Sequence, residues 1–257
     1  MLCDPVVRVV FYFPVGVGKR EKMNEILLMG SVVLIYGMVL LAYRLFGKAG
    51  MYLMTVVATI LANIEVLLLV DAFGMNQTLG NVLFASTYLV TDILSENEGK
   101  KAAARAVWMG VFTSALMLVF TQYWLLYTPS DSDWAMPAVK TIFQTTPRLM
   151  FASFLGYVVS QRLDVWLYHR LWDFTAAKTG DAGGLLWLRN NFATLLSQVI
   201  NTVIFTSVAF GGWYPMEELV GIMLSSYLIF IFTSLLDTPV VYLARRMKKA
   251  GRIPGEV

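Results

Sequence analysis

The chain has 257 residues, 58% of them hydrophobic and only 14% charged, with a mean hydropathy of +0.65. That excludes an ordinary soluble α/β enzyme and leaves a membrane protein, with room for about seven spans of roughly 20 apolar residues and no soluble domain. The net charge of +3 and pI near 8.9 mark topology rather than a nucleic-acid partner, because the aromatic residues sit inside apolar runs instead of alternating with basic ones.

The start of the chain stands apart. Residues 1–22 place Arg8 in an apolar run and follow it with Lys19-Arg20-Glu21-Lys22, the reverse of a signal peptide's order. They read as an N-terminal extension, and Met23-Asn24-Glu25 would make a natural beginning. The membrane domain is then 23–249, with 250–257 a cytoplasmic tail. Cys3 is the lone cysteine and His169 the lone histidine, so neither a disulfide within the chain nor a cysteine or histidine metal cluster can form.

Seven spans follow in chain order. The first, 26–46, is apolar throughout, and the second, 51–70, carries Asn63 and Glu65, which are costly in lipid unless paired or wet. Past Asp71, Gly74, Asn76 and Gly80, the run 79–90 reads as a short third span, broken or re-entrant. The fourth covers 104–127 and ends in interfacial aromatics. A polar loop, 128–147, has space for one or two helical turns on the surface. The fifth covers 149–171, the sixth runs from after Asn191 to Phe210, and the seventh covers 216–243. Lys and Arg crowd the joints after the first, third and fifth spans and the C-terminal tail. The positive-inside rule therefore sets the C-terminus in the cytoplasm, against which the basic N-terminal extension is the one conflict.

Polar residues inside these spans are the candidate site. Asn191, Thr194, Gln198 and Asn201, spaced three, four and three, form one stripe of the sixth helix, suited either to interhelical hydrogen bonding or to a ligand. Gln161, Asp164 and Tyr168 form a second stripe on the fifth, with Asp164 open to pairing with a cation or to a ligand. Arg162 is expected to snorkel to the interface or meet an acid. Asp92 and Glu96 share a face, which suits a cation, a proton or a cationic ligand edge. The plain structural alternative is a Glu96–Lys100 pair at i,i+4. Asp237 precedes Thr238-Pro239 and serves either the kink or the site. No catalytic motif, metal site or cofactor signature is present in the sequence.

Three separated strings, Tyr88-Leu89-Val90-Thr91-Asp92-Ile93-Leu94-Ser95-Glu96, Ser160-Gln161-Arg162-Leu163-Asp164-Val165 and Trp187-Leu188-Arg189-Asn190-Asn191 followed by Ser197-Gln198, resemble the queuosine precursor transporter family, also called the vitamin uptake transporters. The likeness covers about 23–249. It implies a prokaryotic inner-membrane importer of a 7-deazaguanine such as preQ0, preQ1 or queuine. The implied fold is an all-α membrane bundle, whose six-helix core is like the substrate-binding subunits of energy-coupling factor transporters, with one N-terminal helix added. The chain departs from the family at one point: Ser197-Gln198-Val199-Ile200-Asn201 stands where members commonly have Ser-Gln-Leu-Ile-Asp, and an amide cannot replace a carboxylate toward a proton or cation.

The resulting expectation is a secondary-type carrier, not an enzyme. Its substrate-binding candidates are Asn63, Glu65, Asp92, Gln161, Asp164, Asn191, Thr194, Gln198 and Asn201, and its coupling or gating candidates are Asp92, Glu96 and Asp237. Its partners are a purine-like solute and the lipid bilayer. A homo-oligomer is compatible with the sequence, and a dedicated energy-coupling partner is not expected. The alternatives are a binding subunit that does need an ATP-driven partner, and a membrane-embedded enzyme or structural membrane protein.

Overall fold

A computed structural model describes residues 19–144, 147–179 and 185–254. Cys3 and most of the expected extension lie outside the described residues. Lys19 to Lys22, assigned to that extension, form the opening turn of the first helix.

Among the described residues the chain forms seven α-helices and one β-hairpin: α1 (Lys19–Glu65), β1 (Leu69–Ala72), β2 (Met75–Thr78), α2 (Gly80–Asn97), α3 (Lys100–Trp124), α4 (Met136–Phe143), α5 (Pro147–Thr179), α6 (Leu186–Phe210) and α7 (Met216–Lys249). α1 is two spans. At Gly47 the backbone takes φ 56°, ψ −135°, a left-handed break open to glycine, and the chain doubles back. Ile35 on the first limb packs against a cluster formed by Ala58 and Ala62 on the second limb and Leu83 of α2. Gly50 lies so close to the Ala42 carbonyl that no side chain fits between the limbs. The sequence expectation of two spans joined at Gly47 to Gly50 is thus met by a one-residue reversal.

Four helical segments, Lys22–Glu65, Lys100–Trp124, Leu186–Phe210 and Met216–Lys249, are long and apolar enough to cross a membrane. With the first counted as two limbs, and with the long but more polar α2 and α5 beside them, the seven expected spans are accounted for. The large apolar side chains point outward: Val33, Leu34, Phe112, Val119, Leu224 and Leu235 are all exposed, as lipid-facing residues must be. The interior holds Tyr43, Leu89, Ile93 and Ala106 together with many buried Ser, Thr, Asn and Asp side chains.

α2 is the axis of the bundle, packed on α1, α3, α5 and α7. It is a continuous helix of 18 residues, about 27 Å long, and so corrects the broken or re-entrant third span. Its hydroxyls explain the difference: Ser86, Thr87 and Thr91 donate to the carbonyls of Leu83, Phe84 and Tyr88, so polar side chains are satisfied along the helix without unwinding it.

The hairpin β1–β2 was not anticipated. It caps the bundle where the expected turn residues Asp71, Gly74 and Asn76 lie, and Asn24 and Glu25 at the start of α1 bond the Asp71 carbonyl and the Phe73 N–H. α4 is the two-turn surface helix expected in the polar loop. At the opposite end of the bundle, Ile253 and Pro254 rest on the Gly47 turn.

Candidate functional site

The hairpin end of the bundle opens into a cavity of about 830 Å³, within the ~300–1,000 Å³ range of small-molecule sites. Its wall is built by β2, the first turn of α2, the outer half of α6 (Asn201 to Phe210), the 213–214 turn and the first half of α7. Phe84, Phe205, Phe210, Trp213, Tyr214 and Phe230 supply flat apolar surface. Gln77, Asn81, Asn201, Thr206 and Ser225 supply polar atoms. At its deep end the Phe84 ring meets Tyr88 (5.5 Å between centroids), Phe230 (6.0 Å) and Tyr157 (6.1 Å).

A second set of polar groups lies beyond those rings, on the same helices but outside the cavity wall. Asp92 and Tyr88 on α2, Asp164 on α5, Thr194, Ser197 and Gln198 on α6, and Asp237 on α7 are all 0% exposed. Thr194 Oγ1 donates to Asp92 Oδ2 (3.2 Å), and Ser197 Oγ donates to Asp164 Oδ1 (3.0 Å). Asp92 is within electrostatic reach of both Asp164 and Asp237. Much hydrogen-bonding capacity is unused here. Asp92 Oδ1, Asp164 Oδ2 and both amide atoms of Gln198 have no hydrogen-bond partner, and the Asp237 carboxylate has only the Tyr36 hydroxyl close by. Buried polar groups are ordinarily paired because leaving one unpaired costs about 1–3 kcal/mol, so a cluster of unpaired ones marks a place built for something else to bind.

A third layer closes the other end. Glu96 Oε2 accepts from Arg189 (2.6 Å) and from the Tyr168 hydroxyl (2.8 Å), while Arg245 Nε lies 3.2 Å from Glu96 Oε1 as an ion pair. The Arg189 guanidinium also stacks 4.1 Å above Trp172. Tyr43 and Lys248 both reach Glu98 next to it. These contacts tie α2, α5, α6 and α7 together below the acids.

The sequence-derived candidates therefore sort by place. Thr194 meets Asp92, Ser197 meets Asp164, and Asp164 and Asp237 lie within electrostatic reach of Asp92; Gln198 is buried one turn beyond Thr194 on the same stripe, and Asn201 sits one turn nearer the cavity, its Oδ1 directly over Gly156. Gln161 is buried on the α2–α5 seam with its amide spent on Thr87 and Thr91. Asn191 belongs to the α6–α7 seam through Thr238 and Ser234. Asn63 donates back to the Thr59 carbonyl of its own helix, and half-buried Glu65 makes no contact with the cluster. Glu96 pairs with Arg189 and Arg245, not with Lys100. α2 ends at Asn97 and Gly99 turns the chain at φ 85°, so Lys100 starts a new helix and the i,i+4 relation does not exist. Arg162 lies over the Trp108 ring, 5.3 Å from its centroid, on the outside of α5, while Asp164 two residues on faces inward. The sequence reading missed Gln77 and Asn81, since nothing in a span-by-span reading predicts a strand folded over a cavity mouth.

Residues 78–244, which hold Asp92, Asp164 and Asp237, match the model of a family described as "Putative vitamin uptake transporter". The chain is 40% identical over 210 residues, 81% of its own length and 89% of the other's, to a protein of Bacillus subtilis (strain 168) named "Probable queuosine precursor transporter". It is 28% identical over 149 residues, 58% of this chain and 62% of the other, to the "Queuosine precursor transporter" of Escherichia coli (strain K12). No solved structure matches the chain.

Proposed function

The chain belongs to the vitamin uptake transporter family, and from that premise we propose that it carries a 7-deazaguanine precursor of queuosine across the prokaryotic inner membrane as a secondary-type carrier. The observation that carries the reading is the set of buried polar groups Asp164, Gln198 and Asp92, whose unused hydrogen-bonding atoms lie below an aromatic-walled cavity, with Asp237 on the neighbouring helix. A deazaguanine offers N1–H and a 2-amino group as donors and O6 as an acceptor. A carboxylate accepts from the two donors and an amide N–H gives to the oxygen, the roles assigned to Asp164 Oδ2 and Gln198 Nε2. Phe84, Tyr88 and Phe230 cover the ring faces, a contact worth about 1 kcal/mol or more per face.

Transport follows as alternation between two closures. The cavity is open at the hairpin end. The far end is shut by the Glu96–Arg189–Tyr168 layer, and passage requires the aromatic floor to part and reclose while that ionic layer opens. Asp92, Asp237 and Glu96 take the coupling and gating roles. The C-terminus and the basic residues at its end, Arg44, Lys48, Lys100, Lys101, Arg245 and Lys249 among them, face the cytoplasm, and the cavity faces outward.

The direct test is binding of preQ0, preQ1 and queuine to the purified protein, followed by uptake in cells that cannot make preQ0 and that lack every energy-coupling module. Asp164→Asn and Gln198→Ala are each expected to weaken binding by about 1–3 kcal/mol. Folded variants with unchanged affinity would remove those residues from the site. Uptake that needs an added ATP-driven module would replace the carrier by a binding subunit.

A further inference from the structure

We propose that Gln77 on β2, with Asn81 beside it, forms an outer recognition station for the lactam edge of a planar heterocycle, the first point at which substrate is read. The inference rests on the function proposed above and deepens it, by giving the cavity its own binding residues ahead of the buried acids.

Gln77 is only 5% exposed, it lines the cavity, and neither its Oε1 nor its Nε2 has a partner. Asn81, one helical turn above Phe84, also lines the cavity and has an unpaired amide nitrogen. The backbone beneath Gln77 is pinned. Thr78 Oγ1 donates to the Glu65 carbonyl and accepts from Gly80 N–H, and Leu79 N–H donates to the Leu68 carbonyl. Gly80 meets the second limb of α1 so closely that a Cβ would fall 2.8 Å from Val66 N. The side chain is therefore held on a rigid mount with its hydrogen-bonding capacity unused.

The type of side chain selects the ligand. A primary amide places a donor and an acceptor side by side, and so does a ring lactam, N–H next to C=O. The two match in a pair of parallel hydrogen bonds. An anion would leave the Gln77 carbonyl unpaired and a cation its NH₂. The rings of Phe84, Phe210 and Tyr214 on the same cavity wall suit a flat base lying against them.

Gln77→Leu tests this, because it keeps the side-chain size and removes only the amide. Removing an unpaired buried amide costs no stability, so the expected result is a melting temperature in detergent equal to or above wild type, with the KM for uptake raised at least tenfold and the maximal rate little changed. Binding of a lactam panel, preQ0, guanine, hypoxanthine and uracil, alongside N1-methylguanine, is measured for both proteins by quenching of tryptophan fluorescence. With Asp164→Asn in both proteins, so that the inner acid no longer reads N1–H, N1-methylation is expected to weaken binding far more where Gln77 is kept than in Gln77→Leu. An unchanged KM, or a melting temperature lowered by several degrees, overturns the proposal and makes Gln77 a structural residue. Binding of guanine but of no deazaguanine, lost in Gln77→Leu, would overturn the functional reading and leave this inference standing. Wild-type protein that binds nothing in the panel overturns both.

Discussion

Glu96 illustrates what a single residue does in this interior. It is the shared acceptor for Arg189 and Tyr168, and Arg189 itself is fully buried. Removing one partner of a buried pair leaves the other charge uncompensated, at a cost of roughly 3–5 kcal/mol. Glu96→Gln is expected to lower the melting temperature sharply in detergent, and Arg189→Met paired with it to recover part of the loss. Full stability in the single variant would show the layer to be dispensable. A smaller residue makes a similar point: a Cβ on Gly110 would fall inside the Tyr157 hydroxyl group, so α3 and α5 touch only because no side chain stands there. Gly110→Ala is expected to cost about 1–3 kcal/mol through overpacking, read as a shifted unfolding curve. Some of this was legible beforehand. The three-and-four spacing on α6 brought Thr194 and Gln198 to the interior, because helical periodicity is a local property. Which helix each would meet was not legible, since that depends on how neighbouring helices rotate: Asn191 went to α7 and Thr194 to α2.

At the level of elements, the Gly47 reversal and the intact α2 depart in opposite directions from what the residues alone suggested. The reversal is tighter than the Arg44-to-Gly50 joint implied, because a single left-handed glycine turns the chain. Its Cβ position is also occupied, 3.0 Å from the Pro254 carbonyl. Gly47→Ala therefore combines backbone strain of about 1–3 kcal/mol with a steric push on the C-terminal segment. It is expected to lower the denaturant midpoint, while Gly37→Ala, which has open space around its Cβ, leaves it unchanged or raised. α2 read as a short span, broken or re-entrant. Hydropathy counts each Thr and Ser against a helix, but it does not register that their hydroxyls return to carbonyls one turn back.

The whole molecule has two unlike ends. Arg44 and Lys48 beside the turn, Lys100 and Lys101 at the start of α3, and Arg245 to Lys249 at the end of α7 gather at the closed end, joined there by contacts such as Lys248 with Asn97 and Glu98. The cavity end holds Lys140 and Arg148, with Lys22 at the start of α1. In a chain with Cys3 replaced by alanine, Thr206→Cys and Ser225→Cys are expected to react with a membrane-impermeant maleimide added to intact cells. Arg246→Cys is expected to react only after the cells are opened. The reverse pattern would invert the topology. The family and the bundle were legible from composition and three short strings. The hairpin over the cavity mouth was not, because its strands carry no alternation distinct from the end of a span.

The placement of α2 also bears on how the chain is made. The two limbs of α1 can enter the bilayer as a pair as soon as they leave the ribosome, since each has a lipid-compatible outer face and they are joined by one residue. α2 cannot settle on the same schedule: it holds Asp92, and the hydroxyl that bonds that carboxyl, Thr194, comes from α6, 102 residues later in the chain. Until α6 has been made, the third segment carries an acid with no partner in the bilayer. Nascent chains stalled ahead of α6 should accordingly be the form most readily seized by membrane quality-control proteases.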